Sequence, residues 1–127
     1  MSYGRAPVPT EATEQTWLFA WARMAEGVHP ELALLHHIPN GGSRNKAEAA
    51  RLRAQGVKRG IPDICLPCPR GEWHGLYIEL KRTKGGRVSE DQDTVIAALR
   101  REGYRVEVCK GYEDARRTIE DYLGGKA

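Results

Sequence analysis

The chain has 127 residues, with 20 lysines and arginines against 17 aspartates and glutamates and a formal net charge of +3. That length fits a single domain able to bury a core, and leaves no room for a separate recognition domain beside a catalytic one. No apolar run reaches the length of a membrane span and the N-terminus lacks the apolar core of a secretory signal, so an intracellular protein without membrane association is expected.

Residues 1–9 contain Gly4, Pro7 and Pro9, show no periodicity and read as a flexible arm. A helix is predicted over 10–26, capped by Thr10 and stopped by Gly27. Glu14, Leu18, Trp21 and Ala25 fall on one face of it, so a carboxylate heads the apolar stripe. Such an acid either needs a partner or a metal, or is a first-turn acid favoured by the helix dipole; both readings stay open. Residues 32–38 read as a short buried strand ended by Pro39, with Asn40-Gly41-Gly42 as the turn after it. His36 and His37 then point to opposite faces and are more readily satisfied strand side chains than ligands. Asn45 and Glu48 form a capping box opening a helix that ends near Gln55 and Gly56.

Charge gathers on this second helix. Six basic residues, Arg44, Lys46, Arg51, Arg53, Lys58 and Arg59, stand against the single acid Glu48. The run leads directly into Asp63, which favours contact with a nucleic-acid backbone over a merely solvated face. Gly56 and Gly60 permit a close approach there.

Ile61-Pro62-Asp63 opens one apolar run, and Tyr77-Ile78-Glu79-Leu80-Lys81 closes the next. Side chains alternate along a strand, so Glu79 and Lys81 share one face while Ile78 and Leu80 share the other. An antiparallel hairpin turning at Arg70-Gly71-Glu72 sets Asp63 opposite Glu79. Two carboxylates across a ladder repel unless a cation sits between them, and a divalent metal is the simplest cation that fits. Mg²⁺ accepts one or two carboxylates with water and phosphate oxygens, and Lys81 is placed to hold a phosphate or to position the attacking water. The chemistry indicated is phosphodiester hydrolysis. Within the same hairpin, Cys65 and Cys68 form a C-x-x-C that permits a zinc reading with His74 and Cys109, but without a second spaced pair buried strand cysteine is favoured.

Residues 82–88 form a basic, glycine-containing loop that includes Arg82 and Lys84. Ser89 and Gln92 make another capping box, opening a helix to about residue 102 with Val95, Ile96, Ala98 and Leu99 on its apolar side. A strand follows over 104–109, and the strand-helix-strand unit predicts a right-handed parallel crossover. A last helix over 112–123 carries Ala115, Ile119 and Leu123 inward, and 124–127 is a frayed tail. The order α-β-α-β-β-α-β-α gives an α/β domain with a mixed sheet flanked by helices.

Pro62-Asp63 followed by Glu79-Leu80-Lys81 resembles the PD-(D/E)xK nuclease superfamily. Asn40-Gly41-Gly42, the stretch from Gln55 to Asp63, Ile78-Glu79-Leu80-Lys81 and Ser89-Glu90-Asp91-Gln92 together resemble its VRR-NUC branch, over residues 10–123, as in stand-alone proteins found in phages. The resemblance implies a restriction-endonuclease-like fold, with Asp63, Glu79 and the main-chain carbonyl of Leu80 as metal ligands and Lys81 assisting the nucleophile. It also implies that Glu14 reaches the metal from the first helix, that Gln92 borders the site, and that the substrate is branched DNA such as a four-way junction. Mg²⁺, replaceable by Mn²⁺, is the expected cofactor, with no small-molecule cofactor. The expected DNA-contacting set is Asn40, Arg44, Lys46, Arg51, Arg53, Lys58, Arg59, Arg82 and Lys84. Paired incisions on a junction favour a two-fold homodimer, with Trp73 at the hairpin tip, or Trp17 or Trp21, as contact candidates. The rival readings are a non-catalytic nucleic-acid-binding module, a restriction-type sequence-specific nuclease and a zinc-linked interaction module.

Overall fold

A computed structural model describes residues 7–39 and 45–125. Helix α1 (Glu11–Ala25) starts where expected, with the Thr10 side chain accepting the Thr13 N–H. Its buried stripe is Glu14, Leu18 and Ala22, while Trp21 is only half-buried. The Trp21 ring lies instead beneath the Arg116 guanidinium, 5.3 Å from its centroid.

The strand expected over 32–38 begins instead within a 3₁₀ turn, Pro30–Leu34, and is reduced to the two-residue strand β1 (His36–His37). Pro30 suits a helical first turn because no N–H is needed there. Leu32 and Leu35 are buried while Leu34 is exposed, the three-residue spacing of a 3₁₀ turn instead of the alternation of a strand. Helix α2 (Lys46–Ala54) is capped by the Asn45 side chain, which accepts from the Ala47 and Glu48 N–H groups, and it buries none of its residues.

Strands β2 (Ile64–Leu66), β3 (Leu76–Lys81) and β4 (Arg105–Lys110) complete a sheet of order β1-β2-β3-β4. The first three strands are antiparallel, and β3 and β4 are parallel. Ile64 pairs with Ile78, Cys65 with Tyr77 and Leu66 with Leu76, which is the predicted register. At the tip, Arg70 and Trp73 exchange both backbone hydrogen bonds around Gly71 and Glu72. Gly71 takes φ 56°, a backbone that tight hairpin turns demand. Trp73 is not a free apolar surface at that tip; it packs against the core.

Helix α3 (Glu90–Arg101) joins β3 to β4 and begins with the full Ser89–Gln92 capping box. Helix α4 (Tyr112–Leu123) buries Ala115, Ile119 and Tyr122. Leu123 packs half-buried against the core as expected, but Tyr122 is the more deeply buried, and its hydroxyl donates to the Cys68 carbonyl at 2.6 Å. Leu18 and Ala22 of α1 and Ala115, Ile119 and Tyr122 of α4 form one core with Ile64, Leu66, Leu76, Ile78 and Leu80. That core covers the even-numbered face of β3. Glu79 and Lys81 therefore point away from it, where the start of α3 meets them.

Candidate active site

Asp63 sits one residue before β2 and is held from two sides. Its main-chain carbonyl accepts the Ile38 N–H at 2.6 Å and lies 2.9 Å from His37 Nδ1. Its Oδ2 accepts the Leu80 N–H at 2.9 Å. Continuing the β2–β3 register places Pro62 across from Leu80. A proline has no N–H, so that strand offers no donor to the Leu80 carbonyl. The Pro-Asp pair thus does two things at once: it withholds a strand donor from the Leu80 carbonyl and sets a carboxylate on the Leu80 N–H.

Glu79 is 1% exposed, and as a carboxylate its Oε1 finds no donor; only the protonated acid can share a hydrogen bond with Asp63. Its Oε2 accepts from Gln92 Nε2 at 3.1 Å and lies 3.6 Å from Lys81 Nζ. Burial, with the hydrogen bond and charge of the Asp63 carboxyl added to it, pushes the Glu79 acid up to about 8, while Lys81 pulls weakly the other way. Lys81, itself 7% exposed, donates from Nζ to Gln92 Oε1 at 3.0 Å. Asp63, Glu79, Lys81 and Gln92 are therefore brought together.

A buried carboxylate oxygen without a donor, next to a second carboxylate, is costly unless a proton shared by the two acids or a cation between them satisfies both. Among the described residues no group of three or more His, Cys, Asp or Glu side chains is disposed to hold a metal. The side-chain donors are the two acids, a set that suits a hard ion keeping water and phosphate oxygens as its other ligands.

The family model for the VRR-NUC domain matches residues 10–113. The chain belongs to the VRR-NUC family. It is also similar to a solved structure of a VRR_NUC domain protein, at 30% identity and a TM-score of 0.82, with 95% of this chain and 93% of that chain covered. No curated protein matches. As a VRR-NUC domain the chain is a nuclease of the PD-(D/E)xK superfamily.

The VRR-NUC domain places Glu14 at the start of α4. Gly111 has no side chain with which to cap that helix, and Glu14 Oε1 accepts the Tyr112 N–H at 3.0 Å. This is why a buried acid, 4% exposed, heads the apolar stripe of α1. Asn40 and Arg44 lie outside the described residues. Lys46, Arg51, Arg53, Lys58, Arg59, Arg82 and Lys84 are all exposed. Arg82 donates to the Val8 carbonyl at 3.5 Å. Cys65, Cys68 and Cys109 are free and buried. Burial pushes the Cys109 thiol up to about 11, and its Sγ donates to Thr118 Oγ1, so this cysteine behaves as a packing group.

Two residues with no role at the site expected from sequence support it. His37 clamps the Asp63 main chain, and its only sequence signal was its position on a short run before Pro39. Ser89 fixes Gln92 and was legible only as a helix cap.

Proposed function

We propose that this VRR-NUC nuclease is a divalent-metal-dependent endodeoxyribonuclease that cuts branched DNA, four-way junctions among its substrates. The observation that carries the reading is the buried Glu79 with its orphan oxygen, the half-buried Asp63 beside it and Lys81 alongside. Asp63, Glu79 and the Leu80 carbonyl would hold Mg²⁺, or Mn²⁺ in its place. When bound, the ion lowers the pKa of water and neutralises charge developing on the phosphate. The chain's own groups supply the rest. Leu80 N–H and the β1 clamp fix Asp63, and Gln92 keeps the Lys81 ammonium pointed at the substrate phosphate or the attacking water. The deciding experiment is a panel of linear, flap, splayed and four-way DNA with Mg²⁺, Mn²⁺ or EDTA. Cleavage is expected only with metal and fastest on branched forms; equal rates on linear duplex would remove the branched preference, and no cleavage at all would overturn the reading.

The same reading includes a two-fold homodimer that delivers two incisions to one junction. Trp17 and Met24, two turns apart on α1, are 46% and 84% exposed and are the contact surface proposed here. Light scattering should give twice the 14.2 kDa chain mass, and Trp17→Glu should halve it and uncouple the paired nicks.

The basic residues of α2 and the loop after it form no salt bridge with the described residues. Reversing the charge of Lys58 and Arg59 together is expected to weaken DNA binding for every sequence and to lower the salt slope by about 2. An unchanged slope would return these side chains to a solvated surface.

Glu14 is the proposed peripheral member. Glu14→Gln retains an acceptor for the Tyr112 N–H, so the cap survives while the charge is lost. The metal concentration for half-maximal cleavage is expected to rise severalfold with little change in melting temperature. An unchanged metal titration would leave Glu14 as the cap of α4 alone.

A further inference from the structure

Gln92 joins a helix cap to the active-site lysine. Its N–H donates to Ser89 Oγ at 3.1 Å, and its Oε1 accepts both the Ser89 N–H at 2.8 Å and Lys81 Nζ at 3.0 Å. Its Nε2 donates to Glu79 Oε2 at 3.1 Å. Turning the amide over would set its NH₂ against the Lys81 ammonium and the Ser89 N–H, and its oxygen against the Glu79 acid. The chemistry of the partners thus leaves one orientation. Lys81 Nζ is nearer to this neutral oxygen than to Glu79 Oε2, at 3.0 Å against 3.6 Å. Without the amide, nothing would hold Lys81 Nζ away from Glu79 Oε2, and the ammonium would turn from the substrate side to the acid. The loop that delivers Asp63 rests on the same helix start. Gly60 takes φ +86°, and a Cβ there would stand 2.5 Å from the Asp91 carbonyl oxygen.

We infer that Ser89 is a positioning residue for the cleavage reaction: its hydroxyl fixes the first turn of α3 by accepting the Gln92 main-chain N–H, and that turn holds the Ser89 N–H where it locks the Gln92 amide and through it the Lys81 ammonium. Ser89 is exposed; its hydroxyl and N–H bond to Gln92 and its carbonyl accepts the Asp93 N–H of the same helix, so its effect reaches the site through Gln92. The rate consequence rests on the nuclease reading; the geometric one does not.

The test compares Ser89→Ala, Ser89→Thr and Ala97→Gly in the full chain. Ala97 is an exposed residue of α3, and glycine there weakens the same helix by an amount comparable to losing a cap. Single-turnover cleavage and the Kd for a four-way junction are measured with Mg²⁺, and the Gln92 side-chain amide is followed by NMR. Ser89→Ala is expected to slow cleavage about tenfold, or about 1.4 kcal/mol of barrier, at unchanged Kd, and to broaden the Gln92 amide signals. Ser89→Thr restores both, and Ala97→Gly alters neither. A wild-type cleavage rate in Ser89→Ala overturns the inference, as does equal slowing in Ala97→Gly. If the unmodified protein cuts no DNA, the nuclease reading fails instead, and the amide signals alone decide whether Ser89 sets Gln92.

Discussion

Asp63→Asn, Glu79→Gln and Lys81→Ala are each expected to reduce cleavage by about a thousandfold, near 4 kcal/mol of barrier, while the protein stays folded and still binds DNA. The three differ in their effect on stability, and that difference separates a cation site from an ordinary ion-pair cluster. Asp63→Asn keeps an acceptor for the Leu80 N–H and removes one of two like charges. Glu79→Gln keeps an acceptor for Gln92 and replaces the orphan oxygen with an amide able to donate toward Asp63. Both should raise the melting temperature in EDTA above about pH 8, where Glu79 is ionised. Lys81→Ala removes the cation nearest to Glu79 and leaves Gln92 Oε1 with one donor fewer, so it should lower the melting temperature. Cleavage by Glu79→Gln at the unmodified rate would show that the reacting phosphate is held elsewhere.

The opposed acids were legible because the hairpin carried its own ruler. Strand alternation put Glu79 and Lys81 on one face, the Gly71 turn fixed the register, and Asp63 then had one place to be. The capping box of α3 was equally legible, since its signal is local. What required the fold was long-range. Glu14 finds its partner 98 residues away at Tyr112, and the need for that partner comes from a glycine at the start of α4. The strand expected over 32–38 misread an apolar run whose length suits either structure; Pro30 two residues earlier was the signal for a helical turn. On α1 the expected stripe held at Glu14 and Leu18, with Trp21 and Ala25 half-buried against the core, but it passed over Ala22 because Trp21 outweighs it in hydrophobicity. In the fold it is the small Ala22 that faces the core, where α1 and α4 pack together. Ser89 and Gly60 read as a cap and a turn, and their bearing on the site came only from where β3 and the Asp63 loop meet α3.

Without metal, the protein should lose stability as pH rises from about 4.5 to about 8. Glu79 has an ordinary value of 4.5 when unfolded and is raised to about 8 when folded, so between these limits the folded state binds the extra proton. Stability is then fully present below 4.5 and falls with pH, by at most about 1.4 kcal/mol per unit, until it levels off above 8. The other groups pushed upward do not share this window, since Cys109 sits near 11 and the raised tyrosines and other cysteines start from 9 or above. Urea unfolding in EDTA at several pH values, with Glu79→Gln run in parallel, isolates the contribution: the mutant curve should lack this slope and the gap should widen with pH. Mg²⁺ should act in the opposite direction, because a cation between Asp63 and Glu79 favours the ionised acid and binds more tightly as the proton leaves. The stabilisation by Mg²⁺ should therefore grow over the interval in which the metal-free protein weakens, and be absent in Glu79→Gln. Parallel curves for the two proteins in EDTA would mean that Glu79 is ionised throughout, with its charge balanced by Lys81. The orphan oxygen would then no longer argue for a cation.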